Sequence, residues 1–361
     1  MNHTHVIIMA GGIGSRFWPM STTKHPKQFI DILGVGRTLI QQTFDRFKQI
    51  CPASQIYVVT HVDYRDLVLE QLPELSPNQV LCEPSRRNTA PCVAYAAYKV
   101  REIDPEATLV VAPADHLILN QPEFEHIIDI ACKQAQRTHA LMTLGIKPSR
   151  PDTGYGYIQF TDSNDSIDPL VKKVKTFTEK PDLEIAKQFL ESGDFYWNSG
   201  IFVWTLQSII AAYEKFMPDL AELFANGKAK YNTPDESAFI NSVYQVCTNL
   251  SIDYGIMEKA KNVNVVLADF GWSDLGTWGS LYTHVDKDQE QNGVIGDNVM
   301  IYDCKNNVVN LPNDKLAVIQ GLTDYIVVES DNTLLICKKS EEQRIKQFVN
   351  DIKHNKGENY L

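Results

Sequence analysis

Five continuously apolar runs, separated by amphipathic stretches, constrain this chain most. HVIIMA (5–10), QIYVVT (55–60), QVLCEP (79–84), ATLVVAPADH (107–116) and ALMTLGIKP (140–148) read as strands. Between them TLIQQTFDRFKQIC (38–51), YRDLVLEQL (64–72), TAPCVAYAAYKVREI (89–103) and EFEHIIDIACKQAQR (123–137) read as helices. Strands that are apolar throughout, rather than alternating, belong to a parallel sheet covered on both faces. Strand and helix repeating at this spacing predict a doubly wound α/β core. Ligands of such sheets bind outside the carboxyl ends of the strands, so each candidate residue is judged by its distance from a strand end.

The middle third changes character. TGYGYIQF (153–160) and LVKKVKTFTEKP (170–181) read as antiparallel strands, LEIAKQFLES (183–192) as a helix and WNSGIFVW (197–204) as a strand. Residues 206–245 are mostly helical, and VNVVLADFGWSDLG (263–276) returns to a strand ending in a polar turn. After about residue 285 short strands follow one another, separated by Asn-Asn, Asn-Asp and Gly turns, and a charged helix (341–355) closes the chain. The expected organisation is an α/β domain over 1–284, with a mixed, mainly parallel sheet, and a small β domain over 285–361. The β runs recur, but too few times to predict a solenoid.

Composition narrows the function. Lysine and arginine number 34 against 45 aspartates and glutamates, a balance of −11, which argues against broad nucleic-acid binding. A few cations in one cleft still suit a small anionic ligand. The seven cysteines are scattered without a C-x-x-C pair, so free thiols in a reducing compartment are expected. No apolar run reaches membrane length, and the first residues lack the build of a signal peptide. A cytoplasmic protein is expected.

MAGGIGSRFWPMSTTKHPKQF (9–29) follows the first strand. Phe17 stands where the dinucleotide fingerprint needs its third glycine, and strand two ends without a ribose-binding acid. No Gly-Lys-Ser/Thr follows, so it is not a Walker loop either. Gly11, Gly12 and Gly14 let backbone N–H groups approach an anion. Arg16 and Lys27 add two positive charges, a bidentate fork and a point charge. An anion cradle and a tight turn with solvent-facing charges both remain open on these residues alone.

The stretch resembles the signature of sugar nucleotidyltransferases, G-G-x-G-x-R followed by P-K. Its particular form, AGGIGSRFWPMS…HPKQF, resembles the mannose-1-phosphate guanylyltransferase (GDP-mannose pyrophosphorylase) branch, and five further motifs follow in the family's order. The resemblance implies a Rossmann-like nucleotidyltransferase core and the substrates GTP and mannose 1-phosphate. It implies the products GDP-mannose and pyrophosphate. Gly11, Gly12, Gly14, Ser15, Arg16 and Lys27 would hold the nucleotide, with Arg16 and Lys27 facing the departing pyrophosphate. Asp115 in APADH and Asp274 in GWSDLG match the family's metal-holding aspartates, and two carboxylates completed by phosphate and water suit Mg²⁺. In FTEKPD, Glu179 would bond sugar hydroxyls and Lys180 the sugar phosphate. Gly154 and Tyr155 in TGYGYI, with Asn198 and Gly200 in WNSG, would line the hexose.

EPSRRNTAP (83–91) leaves two readings open. Glu83 could accept from guanine N1–H and N2–H₂, with N–H groups near Asn88 and Thr89 meeting base or phosphate. Alternatively the segment is a helix cap with Glu83 paired to Arg86 or Arg87. SIDYGIMEKA (251–260), with Asp253 and Glu258, also matches the family and reads mainly as architecture. Some members of the family carry a further cupin domain with phosphomannose isomerase activity. A chain of 361 residues has no room for one, so a single activity and a homodimer without nucleic-acid or membrane partners are expected. Lys27→Ala and Asp115→Ala are expected to fold and to lose turnover. Rival readings are a nucleotidyltransferase for another base or hexose, a non-catalytic nucleotide-sugar-sensing subunit, and, least supported, a Rossmann oxidoreductase.

Overall fold

A computed structural model describes residues 3–162 and 165–361. The first half alternates as its apolar runs predict: β1 (Thr4–Ala10), α1 (Leu39–Phe47), β2 (Ile56–His61), α2 (Arg65–Gln71), β3 (Val80–Glu83), α3 (Thr89–Arg101), β4 (Thr108–Pro113), α4 (Gln121–Thr138) and β5 (Leu141–Ile146). Next come β6 (Gly156–Asp162), β7 (Val171–Glu179), α5 (Leu183–Ser192), β8 (Phe195–Thr205), α6 (Leu206–Phe216), α7 (Pro218–Ala225), α8 (Glu236–Val246) and β9 (Val263–Ala268). The last segment carries α9 (Trp278–Tyr282), β10 (Gly293–Ile295), β11 (Val299–Tyr302), β12 (Val308–Asn310), β13 (Ala317–Gln320), β14 (Tyr325–Ser330), β15 (Thr333–Lys338) and α10 (Ile345–Lys356). Helix α1 ends at Phe47, short of the Cys51 expected from its pattern.

The chain divides into two compact units. The first comprises residues up to Gly11, Thr43–Ala114 and Ile118–Trp272; the second comprises Gly12–Gln42, Asp115–Leu117 and Ser273–Leu361. The first unit is built on one nine-stranded sheet in the order β3-β2-β1-β4-β8-β5-β9-β7-β6. Strands β1 to β4 pair in parallel, and β5 pairs in parallel with β9. Strand β8 runs antiparallel between β4 and β5, and β6 and β7 are antiparallel to each other. Side chains alternate between the faces of a strand. Ile7, Val59, Leu109 and Val111 join the apolar cluster of α3 and α6. Their neighbours Val6, Val58 and Val110, on the other face, are buried as completely. That double burial is why these strands show no polar alternation.

In the second unit β10, β12 and β14 stack in parallel through Gly293↔Val308↔Ile326, and β11 stacks on β13 through Val299↔Ala317. Strand β15 folds back antiparallel on β14. The segment is therefore a short parallel solenoid, which the sequence reading did not anticipate. Strands pair with the next strand but one, and the coil from 293 to 308 is shorter than that from 308 to 326, so no fixed repeat shows. Asparagines fill its corners. Asn307 Nδ2 donates to Asn292 Oδ1 (2.9 Å) and to the Leu322 carbonyl (2.8 Å), while its Oδ1 accepts from Tyr325 N (2.8 Å). Asn292 and Asn307 are buried, so these bonds satisfy amides that would otherwise be expensive to desolvate.

Candidate active site

The glycine loop belongs to the second unit. It leaves the end of β1, and Gly14 turns it with φ of 75°. A Cβ there would lie 2.5 Å from Lys27 Cβ, so both the backbone conformation and the space require glycine. Ser15–Phe17 then form a single 3₁₀ turn. The following segment folds back on the loop: Lys27 N donates to the Ile13 carbonyl (3.1 Å) and Gln28 Nε2 to the Gly12 carbonyl (3.0 Å). Phe17, where a dinucleotide loop would need glycine, is buried against Trp278 with ring centroids 4.9 Å apart.

Lys27 brings together the two distant aspartates. Its Nζ lies 2.8 Å from Asp115 Oδ2, and it donates to the carbonyls of Asp274 (2.8 Å) and Leu275 (2.9 Å). The side chain is buried, and an ammonium has only three protons to give, so all of them are engaged. The sequence reading aimed this charge at departing pyrophosphate; the structure turns it inward, onto Asp115 and the 274–275 backbone. Burial pushes the Asp115 carboxyl upward, but Lys27 and His116 outweigh it and hold the group below its ordinary value, ionised. The Asp274 carboxylate accepts from Gly276 N (2.9 Å), and a Cβ on Gly276 would collide with it. Among the described residues the buried Arg16 Nε has no hydrogen-bond partner.

Three parts of the first unit carry the remaining candidates. At the end of β3, Glu83 is buried and its Oε1 accepts from the Tyr244 hydroxyl (2.7 Å). Burial raises its carboxyl to about 7, against the pull of Tyr244 and Arg86. A Cβ on Gly11 would stand 3.4 Å from Glu83 Oε2, so the loop's first glycine gives this carboxylate room. Arg86 instead donates to the Gly11 carbonyl (3.2 Å) and the Tyr64 hydroxyl (2.6 Å), and Arg87 to the Tyr244 carbonyl (3.2 Å). Asn88, with φ of 67°, caps α3 by accepting from Thr89 N (2.9 Å), and Thr89 Oγ1 accepts from Ile252 N (2.9 Å). Asn88 is thus the N-cap of α3. Glu83 is bonded to a tyrosine rather than to either arginine.

At the junction of β7, β8 and the 251–258 segment lies a polar cluster. Glu179 Oε1 sits 2.5 Å from Lys180 Nζ, while its buried Oε2 has no partner among the described residues. Gly156 leaves the space this carboxylate fills, since a Cβ there would overlap Oε2. Asn198 accepts from the Thr143 hydroxyl (2.8 Å) and donates to Asp253 Oδ1 (2.9 Å). Gly200, with φ of 71°, directs its N–H at Asn198 Oδ1 (3.3 Å). Burial, with the Glu179 charge beside it, raises Asp253 to about 7. In its protonated form this acid can donate as well as accept, which suits hydroxyl recognition.

Beside it Tyr155 meets Trp197 and Trp272 edge-on, with centroids 5.0 and 5.3 Å away. Gly154 N donates to Asp152 Oδ1 (2.8 Å), and the Arg150 guanidinium lies 5.3 Å above the Trp197 ring. Aromatic faces next to two buried carboxyl groups, one with its pKa raised, make a surface suited to a sugar.

Family models match along almost the whole chain. Residues 5–291 match the nucleotidyl transferase model, and residues 296–352 match the MannoseP isomerase/GMP-like beta-helix domain. The chain belongs to the nucleotidyl transferase family. This nucleotidyl transferase is 36% identical over 361 residues to a mannose-1-phosphate guanylyltransferase of Klebsiella pneumoniae, across 98% of the chain and 75% of that relative. It is 37% identical over 350 residues to the alginate biosynthesis protein AlgA of Pseudomonas fluorescens, across 96% of the chain and 71% of the relative. The crystal structure of mannose-1-phosphate geranyltransferase from Thermus thermophilus superposes with a TM-score of 0.86 at 26% identity, covering 97% of this chain and 99% of that one.

Within the nucleotidyl transferase, sequence reasoning placed Asp253 as architecture, whereas the structure bonds it to Asn198 beside Glu179. Its signal was an aspartate opening the family-matching segment SIDYGIMEKA, but no sequence pattern reveals that this aspartate reaches β8. Thr143 and Tyr244, which orient Asn198 and Glu83, stood in stretches that read as plain strand and helix. The seven cysteines are free, as their scatter suggested.

Proposed function

We propose that this chain transfers GMP from GTP to α-D-mannose 1-phosphate, giving GDP-mannose and pyrophosphate. The observation that carries the reading is the convergence of Asp115, Asp274 and the glycine loop on Lys27. It lies in a chain similar over nearly its whole length to mannose-1-phosphate guanylyltransferases.

An oxygen of the sugar phosphate attacks the α-phosphorus of GTP. The α–β anhydride bond breaks, and pyrophosphate leaves with the bonding electron pair. The nucleophile is already anionic near neutral pH, so the site needs no general base; it must align two anions and absorb their charge. Lys27 fixes Asp115 and the backbone at Asp274. Arg16 and the loop N–H groups meet the departing phosphates. Lys180 holds the sugar phosphate, while Glu179, Asn198 and Asp253 recognise sugar hydroxyls over the Tyr155 and Trp197 rings. Glu83 accepts from the guanine edge, with Tyr244 fixing its orientation.

Asp115 and Asp274 fit a hard divalent cation such as Mg²⁺. Both are oxygen donors, Asp115 is held ionised, and one or two carboxylates with phosphate oxygens suffice for this ion. When bound, it supplies charge neutralisation on the phosphates. A cytoplasmic homodimer is the setting this reading implies, and light scattering reads the oligomeric state.

The deciding experiment measures pyrophosphate release over a grid of nucleoside triphosphates and sugar 1-phosphates with Mg²⁺. Signal confined to GTP and mannose 1-phosphate supports the reading. Equal signal with UTP and glucose 1-phosphate overturns the base and sugar assignment, and no signal with any pair overturns nucleotidyl transfer.

A further inference from the structure

The C-terminal helix is fastened to the glycine loop within the second unit. Ile345, at the start of α10, is buried in one cluster with Phe17 and Trp18, and Phe348, Val349 and Ile352 pack against that cluster. The Trp18 indole N–H donates to the Tyr360 carbonyl (2.7 Å), which fixes the chain beyond the helix as well. This packing brings the ammonium of Lys346, the residue after Ile345, within the field of the Arg16 guanidinium.

Two cations are thereby brought near each other, and among the described residues no acid is paired with either. On the approach to this helix Arg344 pairs with Glu341 (3.1 Å), and within it Lys353 pairs with Glu358 (2.9 Å). Among the described residues, Arg16 and Lys346 form no ion pair, and the Arg16 Nε is buried without a partner. The Arg16 charge, with some burial, holds the Lys346 ammonium below its ordinary value. A fold that sets two like charges side by side and leaves a buried donor open is arranged for an anion.

We propose that Lys346, carried by the C-terminal helix, binds the β- and γ-phosphates of the nucleoside triphosphate together with Arg16, and so holds the departing pyrophosphate. The inference rests on the reading of the glycine loop as a triphosphate site. It gives the C-terminal segment a direct part in nucleotide binding. It also supplies the mobile lysine charge that Lys27, bonded inward, does not.

Lys346 is exposed, so its replacement leaves folding intact, and a thermal melt verifies this. Calorimetry with inorganic pyrophosphate in Mg²⁺ buffer is run on wild type, Lys346→Ala and Lys346→Arg, with GDP-mannose as the second ligand. The expected result is a loss of pyrophosphate affinity of roughly tenfold in the alanine variant, the scale of one charged hydrogen bond. Arginine should restore most of it, and GDP-mannose affinity should stay at the wild-type value. Unchanged pyrophosphate affinity in Lys346→Ala overturns the proposal, as does an equal loss for both ligands. If wild type releases pyrophosphate from GTP and mannose 1-phosphate while Lys346→Ala binds pyrophosphate normally, only this inference falls. A wild type that neither releases nor binds pyrophosphate overturns the functional reading and this inference together.

Discussion

Lys27 is at once a structural and a functional residue, and its variants should show both. The side chain is buried and bonds one carboxylate and two carbonyls. Lys27→Ala would leave these acceptors without their donor, a penalty of about 1–3 kcal/mol for each group that water does not reach. Asp115 is part-exposed, so its share is the smallest. The variant should therefore melt several degrees below wild type as well as lose turnover, whereas Asp115→Asn should lose turnover by about 10²–10³ with a smaller shift in melting. Thermal melts beside initial rates separate the two. Equal melting of Lys27→Ala and wild type would show that the inward bonds contribute nothing to stability.

Glu83 gives a pH prediction whose sign follows from its shift. Its folded value is raised from 4.5 to about 7, so the folded chain holds this proton where the unfolded chain has released it. The stability it contributes is complete below its unfolded value and is lost as pH rises through about 7. Glu83→Gln keeps an oxygen to accept from Tyr244 and carries no charge. Its advantage in melting temperature over wild type should be larger at about pH 8 than at about pH 5. A pH-independent difference between the two melting curves would contradict the shift.

At the scale of elements, the asparagine corners hold the parallel coils in register. Asn307→Ala removes donors and acceptors serving Asn292, Leu322 and Tyr325, and a buried group left unpaired costs about 1–3 kcal/mol. The variant should unfold at a lower temperature, and hydrogen exchange should rise first in β12 and β14. Exchange unchanged in those strands would show that the side-chain bonds are dispensable.

The same coils show what the sequence could and could not convey. The strands of the first unit were legible because burial on both faces removes every polar position from runs such as VIIM. The C-terminal strands were legible one by one, but their pairing was not, since it skips a strand and coil length varies. The site divided along similar lines. Motifs in loops, where glycine and charge are conspicuous, marked the carboxylates and cations. Partners supplied by regular elements, such as Thr143 on β5 and Tyr244 on α8, had no local signal because their role exists only after folding. Lys27 stands out in the sequence, yet the direction of its ammonium depends on carbonyls at 274 and 275 that no local pattern ties to it.

At the scale of the molecule, chain order and spatial grouping differ. A boundary at 285 marks where the short strands begin, but the glycine loop lies in the same compact unit as those strands. Phe17, Trp18 and Ile32 share one apolar cluster with Val308, Ile326, Val328, Leu335 and Ile345. A chain cut after 284 would expose Phe17 and Trp18, forfeiting about 1.5–3 kcal/mol for each large apolar side chain returned to water. The nine-stranded sheet takes every strand from residues before 269, so its own core survives the cut. The truncated chain should keep helical and strand circular dichroism, lose GTP binding by calorimetry, and show faster proteolysis between residues 12 and 42. Full GTP affinity in the truncated chain would mean that the loop holds its conformation without the C-terminal strands, and that the shared cluster only covers it.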